Sequence, residues 1–232
     1  MDINKVGIPL AIVVAAGLIA GSLYFSNIRT AKILAQKSNT VPTTQGTNSL
    51  RPVSATDHIR GNPDARVVIV EYSDTECPYC KIFHESLQRI MAEYGKDNKV
   101  AWVYRHFPIA QLHSRAPKEA EATECVNELG GPEKFWQYLN MIYSKTDSND
   151  TLDPKLLPVF AKTVGVDVTA FNTCLSSGKY ASKIQADYDD AMASGGQGTP
   201  HTIFVTRDGV KTPIDGALSY DSLKSLIDAM LQ

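Results

Sequence analysis

Val67-Val68-Ile69-Val70-Glu71-Tyr72 runs through Ser73-Asp74 into Thr75-Glu76-Cys77-Pro78-Tyr79-Cys80, and Ile82, Phe83, Leu87, Ile90, Met91 and Tyr94 then recur at helical spacing. The first run is β-branched and of strand length, the second set is amphipathic, and the cysteine pair sits where one hands over to the other. At such a junction Pro78 fits the first helical turn, where its missing N–H would have had no partner. The remaining free N–H groups and the positive end of the helix dipole face Cys77. Sites of this kind lower a thiol from about 8.5 to about 3.5–7.5. Cys77 is therefore the candidate nucleophile, and Cys80, one turn on, the candidate resolving thiol. The same four letters also form half of a zinc site, but His84 would supply only a third ligand and no second close Cys or His pair completes a tetrahedral set. Neither a resident metal nor a cofactor is expected. Glu71 interrupts the apolar run; it lies either at a sheet edge or buried beneath the helix, where it would relay protons to and from the thiols.

The chain has 232 residues, of which 43% are hydrophobic, enough for one domain with a sizeable core. A formal net charge of −2 argues against a nucleic-acid footprint. Val6 to Ile28 carries no charged residue and is long enough to cross a hydrocarbon core as a helix. The expected layout is a cytoplasmic start over 1–5, a transmembrane signal-anchor over 6–28, a polar linker over 29–56 and a folded domain over 57–232. A cleavable signal peptide is the rival, but Leu18-Ile19-Ala20 does not give a small-x-small site. Ser38 to Asp57, dominated by polar residues and proline, reads as a solvated tether. Flanking charge does not orient the segment, since Lys5 lies on one side and Arg29, Lys32 and Lys37 on the other. Four cysteines, with one pair arranged for redox work, fit an oxidising compartment, placing the domain outside the plasma membrane.

Gly61-Asn62-Pro63-Asp64 is a turn leading into the first strand, and the redox helix is expected to stop at Gly95. Val100 to Tyr104 reads as a second, parallel strand. His106 and His113, isolated near a strand end and a helix start, read as hydrogen-bonded structural residues. From about 114 to 194 the pattern is helical, over Ala116–Leu129, Pro132–Tyr143, Pro154–Val164, Val168–Leu175 and Tyr180 to about Met192. Phe135, Trp136, Tyr138 and Leu139 fall at core spacing rather than forming a cofactor box. Cys125 and Cys174 both lie in this block. An even leftover pair in an exported protein suggests a second disulfide, closing a loop of about 50 residues and contributing about 4 kcal/mol in the chain-entropy model. The alternative is two separate buried thiols. After Thr199-Pro200 come a strand over His201–Val205, a turn at Asp208-Gly209, a partner strand over Val210–Ile214, and a helix with Leu223, Leu226, Ile227 and Met230 on one face.

That order is α/β and resembles the thioredoxin superfamily, more closely its DsbA-like thiol–disulfide oxidoreductases. The resemblance spans about 57–232 and is carried by Glu71-Tyr72-Ser73-Asp74 before the cysteine pair, Arg105-x-Phe107-Pro108, the Cys125/Cys174 pair and Gly198-Thr199-Pro200. It implies a thioredoxin fold with a helical insertion between the first strand–helix–strand unit and the C-terminal hairpin–helix. It implies a cis Thr199–Pro200 peptide beside the redox pair, with Pro78, Tyr79, Thr199 and Pro200 contacting substrate, and an acidic residue under the redox helix at Glu71. Arg105 is the expected counter-charge to Glu71. Pro78-Tyr79 is the dipeptide typical of glutaredoxins, whereas the best-known periplasmic oxidases carry histidine at the second position. The long helical span between Cys80 and Thr199 separates this chain from small glutaredoxins.

The expected activity is disulfide donation to thiol-containing exported proteins through Cys77 and Cys80, with a membrane re-oxidase as a further partner. The alternatives are a thiol reductase or isomerase, a tethered chaperone or binding module with a vestigial pair, and a metal carrier.

Overall fold

The structure is a computed structural model and describes residues 49–232. The expected membrane segment over 6–28 and all of the linker before residue 49 lie outside the described residues. Among the described residues no helix is long and apolar enough to cross a membrane.

Five strands form one mixed sheet: β1 (His58–Arg60), β2 (Val67–Ser73), β3 (Val100–His106), β4 (His201–Thr206) and β5 (Lys211–Asp215), in the order β1-β3-β2-β4-β5. β2 and β3 are parallel, in register from Val67↔Val100 to Ser73↔His106, and β4 and β1 flank them antiparallel. A parallel pair needs a crossover. It is supplied by α1 (Pro78–Tyr94), which buries Phe83, Leu87 and Ile90 against the sheet and leaves Ile82 exposed. Fully burying side chains of that size contributes about 1.5–3 kcal/mol each. α1 ends at Tyr94 as expected. Its stop is a 3-10 turn over Gly95–Asp97 followed by left-handed Asn98, not a left-handed Gly95.

The β-strand period of two assigns the residues of the central strands to opposite faces. Val67, Ile69 and Glu71 share one face with Val100, Trp102 and Tyr104, in the core beneath α1 and the C-terminal helix α7 (Tyr220–Met230). Val70 and Tyr72 share the other with Val103, packing with Leu50, Ala191 and Ile203. In chain order between these two halves come α2 (Ala116–Gly130), α3 (Pro132–Lys145), α4 (Leu156–Thr163), α5 (Val168–Ser177) and α6 (Ala181–Ala193). They enclose a core of their own, including Val126, Tyr138, Ile142, Phe160 and Phe171. Cys125 and Cys174 are disulfide-bonded inside it, with Cα atoms 5.8 Å apart. The α/β thioredoxin fold with its helical insertion is thus present.

Two expectations are corrected. The folded unit begins before residue 57. Leu50 is buried, the Arg51 backbone N–H donates to Asp190 Oδ1 at 2.9 Å, and its guanidinium reaches Asp187 at 2.7 Å and Asp57 at 3.3 Å. Residues 50–57 are therefore a docked strap, not a solvated tether. Arg105 does not face Glu71. It sits opposite Tyr72 in the β2–β3 register, on the other face of the sheet, where its guanidinium donates to Asp57 at 2.8 and 3.0 Å and to Asp190 at 2.7 Å.

Candidate active site

Cys77 caps α1 with extended backbone angles (φ −80°, ψ 123°) and Pro78 occupies the first turn. The Cys77 N–H donates to the Asp74 carbonyl at 3.2 Å, and the Cys77 carbonyl accepts the first helical bond from Lys81 at 3.1 Å. Cys77 and Cys80 are both free thiols. Their environments differ. A hydrogen bond from Cys80 lowers Cys77 to about 6 against opposing burial, with the Thr199 side chain and the N–H groups of Cys80 and Tyr79 adding to the effect. Cys80 is pushed up, first by burial, then by Cys77 and by the charge of Glu71, with only the Asp74 N–H at 3.5 Å opposing. The pair is therefore set as a Cys77 thiolate accepting a hydrogen bond from a Cys80 thiol.

The Thr199–Pro200 peptide is cis, and the Cys77 thiol lies 3.4 Å from the Thr199 carbonyl. The far end of the chain is thus brought onto the head of α1 by the β2–β4 pairing, which sets Tyr72 opposite His201. Tyr79 projects outward beside the pair, 63% exposed.

Glu71 is fully buried on the α1 side of β2. Trp102 Nε1 donates to its Oε2 at 2.8 Å, while Oε1 has no partner. Burial, and after it the charge of Cys77, pushes its pKa up to about 7 against the nearby Ser73 hydroxyl and the hydrogen bond from Trp102. This carboxyl exchanges a proton near neutral pH, and its charge is felt at Cys80. Tyr104 and Tyr143 also feel the charges of Glu71 and Cys80. Their hydroxyls lie 3.4 Å apart, and that of Tyr143 is 2.9 Å from Ser73 Oγ.

Acidic residues without a chemical role assigned from sequence surround the motif. Asp74 accepts from the Ile109 N–H and from His113 Nδ1, at 2.8 and 2.9 Å. Glu76 accepts from Thr146 Oγ1 at 2.9 Å and from the Asp150 N–H at 3.0 Å, holding a turn where Ser148, Asn149 and Asp150 all have positive φ. Glu119 accepts from Thr75 Oγ1 at 2.7 Å and is pushed up to about 8, by burial and then by neighbouring Glu76. These residues look like ordinary polar positions in sequence; only the packing of α2 and the turn after α3 against residues 74–76 brings them together.

His84 does not join the cysteines as a ligand. Its Nε2 lies 2.8 Å from Asn140 Oδ1, and burial pulls it down to about 4. Among the described residues, potential metal ligands converge at His58, His106 and Glu124 instead. There Glu124 Oε1 already meets His58, His106 and the Lys183 ammonium at 2.7, 2.9 and 2.8 Å.

A thioredoxin family model matches residues 53–229. The crystal structure of Pseudomonas aeruginosa DsbA2 is similar at a TM-score of 0.63 with 26% identity, over 78% of this chain and 97% of that one. The structure of Wolbachia pipientis alpha-DsbA1 gives 0.68 with 24% identity, over 80% and 96%. Bacillus subtilis BdbD in its oxidised form gives 0.65 with 24% identity, over 75% and 92%. In sequence, 208 residues are 31% identical to part of a Na(+)/H(+) antiporter NhaA 1 from Mycolicibacterium gilvum, covering 88% of this chain and 31% of that protein. A homologous antiporter of Mycolicibacterium vanbaalenii is 34% identical over 76% of this chain and 28% of its own length. The chain spans under a third of these curated relatives.

Proposed function

The chain belongs to the thioredoxin family, as a DsbA-type member of the superfamily, and on that premise we propose that it is an extracytoplasmic thiol–disulfide oxidoreductase that donates disulfides through Cys77 and Cys80. The observation that carries the reading is the asymmetry of the pair: Cys77 is lowered to about 6 while Cys80 is pushed up. A stabilised thiolate favours the reduced form, so the oxidised form is the stronger oxidant.

The steps follow from the geometry. A substrate thiolate attacks Cys77 Sγ of the oxidised pair, the Cys77–Cys80 bond breaks, and a mixed disulfide forms as Cys80 leaves and takes up a proton. Glu71, whose pKa stands near 7, is the proton source. A second substrate thiolate attacks the substrate sulfur of the mixed disulfide and expels Cys77 as its stable thiolate. Two electrons pass to the protein and a disulfide remains in the substrate. Thr199, Pro200, Pro78 and Tyr79 frame the face on which the substrate lies, and a membrane re-oxidase returns the pair to the disulfide. The Cys125–Cys174 bond supports an oxidising compartment, because such bonds persist there. Val6 to Ile28 would tether the domain to the membrane. Sodium–proton exchange, named for relatives much longer than this chain, forms no part of the proposal.

The test is stoichiometric. The oxidised full chain, mixed with an excess of a reduced dithiol peptide, should convert one equivalent of peptide to its disulfide, and Cys77→Ser should abolish the conversion. No peptide oxidation by the oxidised wild type would overturn the proposal.

A further inference from the structure

His113 stands on the loop between β3 and α2 and is buried, with Nδ1 2.9 Å from Asp74 Oδ2. Asp74 is itself fixed. Its Oδ1 accepts the Glu76 N–H at 2.8 Å and its Oδ2 the Ile109 N–H at 2.8 Å. Its backbone touches both thiol residues, the carbonyl accepting the Cys77 N–H at 3.2 Å and the N–H lying 3.5 Å from Cys80 Sγ. One residue thus binds the imidazole to the redox pair.

The charged groups that face His113 come from three elements: Asp74 between β2 and α1, Cys77 at the head of α1, and Asp150 in the turn after α3. Burial pulls the imidazole down, but the hydrogen bond to Asp74 and these three charges outweigh it and raise its pKa above the ordinary value. The neighbouring carboxylates are engaged elsewhere. Asp150 accepts the Ser114 and Arg115 N–H groups at 2.8 and 2.9 Å, Glu76 the Thr146 hydroxyl, and Glu119 the Thr75 hydroxyl. Within the motif, neither Pro78 nor the outward Tyr79 carries a positive charge.

We propose that His113 is a positioning residue for the redox pair: its imidazolium, held by Asp74, sets a positive charge against the Cys77 thiolate from outside the Cys-x-x-Cys motif. This rests on the exchange reaction above and says what tunes it. When the mixed disulfide resolves, the sulfur–sulfur bond to Cys77 breaks and Cys77 departs with the electron pair. A nearby cation stabilises that leaving thiolate, and with it the reduced protein. The stabilisation is present while His113 holds its proton and is lost as pH rises through its titration.

The experiment is the pH profile of Cys77 alkylation in the reduced full chain, together with its equilibrium with glutathione, for wild type, His113→Gln and His113→Arg. An opposite charge at close range shifts a pKa by about 1 unit. His113→Gln should therefore raise the Cys77 midpoint above its wild-type position near 6, by up to about 1 unit. At pH 7 a full unit makes the pair about fivefold less oxidising, equivalent to about 22 mV. The difference between wild type and His113→Gln should close as pH rises through the raised titration of His113, whereas His113→Arg keeps its charge throughout. His113→Arg keeps the charge and the Asp74 partner, so its midpoint should stay within about 0.3 units of wild type. A role in packing alone would not produce this rescue. A wild-type midpoint near 6 with an unchanged His113→Gln midpoint overturns the inference and leaves the exchange reaction standing. An Arg variant that behaves like the Gln variant also overturns it. A wild-type midpoint near 8.5 would sink the exchange reading itself.

Discussion

Glu71→Gln isolates the cost of keeping a carboxyl beneath the redox helix. Burial raises Glu71 from 4.5 to about 7, whereas in the unfolded chain it would titrate near its ordinary value. Between those two values the folded protein holds a proton that the unfolded chain has lost. Stability therefore falls as pH rises across the window and is flat on either side. A difference of about 2.5 units at 1.36 kcal/mol each amounts to about 3 kcal/mol, fully expressed above pH 7 and absent below about 4.5. Glutamine keeps the acceptor for Trp102 Nε1 and places its NH2 where Oε1 lacks a partner, much as the protonated acid places its O–H. At pH 4 the variant and wild type should thus differ by less than about 1 kcal/mol, and at pH 8.5 the variant should be more stable by about 2–3 kcal/mol. Urea unfolding of the oxidised proteins reads this cleanly, because Cys77 and Cys80 do not titrate when bonded and burial is the leading cause of the Glu71 shift. Stability curves that run parallel from pH 4 to 8.5 would refute the reasoning. The same variant should lose proton transfer at Cys80 and form the Cys77–Cys80 bond at least about tenfold more slowly near neutral pH.

Three further outcomes follow from the packing. Arg105→Met leaves Asp57 and Asp190 without their shared cation and should destabilise the domain by about 3–5 kcal/mol, seen as a lower urea midpoint. Replacing Cys125 and Cys174 together by alanine removes a crosslink across a sequence separation of 49 and should cost up to about 4 kcal/mol, while the Cys77 alkylation midpoint stays unchanged. Cys80→Ser removes the buried resolving thiol, so mixed disulfides at Cys77 should accumulate with reactive thiol probes; accumulation in Cys77→Ser and not in Cys80→Ser would show the roles of the two cysteines to be reversed.

What could be read in the sequence was local. A β-branched run, a proline one position into a helix and apolar residues at helical spacing each report on neighbouring backbone, and together they placed Cys77 and Cys80 at the strand–helix junction. The helical insertion was legible for the same reason, with Pro132 and Asp167 marking the starts of two of its helices, the latter accepting the Ala170 N–H as a cap. Register was not legible. Glu71 and Arg105 differ in side because Glu71 pairs with Tyr104, a one-residue relation that no strand reveals by itself. β1 has three residues and no apolar run, so it takes its strand form from pairing with β3. The strap over 50–57 is polar in composition, and its order comes from two buried aspartates on a distant helix, Asp187 and Asp190. Asp74 and His113 meet across 39 residues, and each alone has the profile of an ordinary polar loop residue.

The central claim is that the Cys77–Cys80 pair is poised to oxidise. Its most direct test is the equilibrium reduction potential of that pair against glutathione at pH 7. A stabilised Cys77 thiolate predicts a value well above that of thioredoxin and toward the roughly −120 mV of strong disulfide donors. A value near −270 mV would contradict the account and make the same site a reductant.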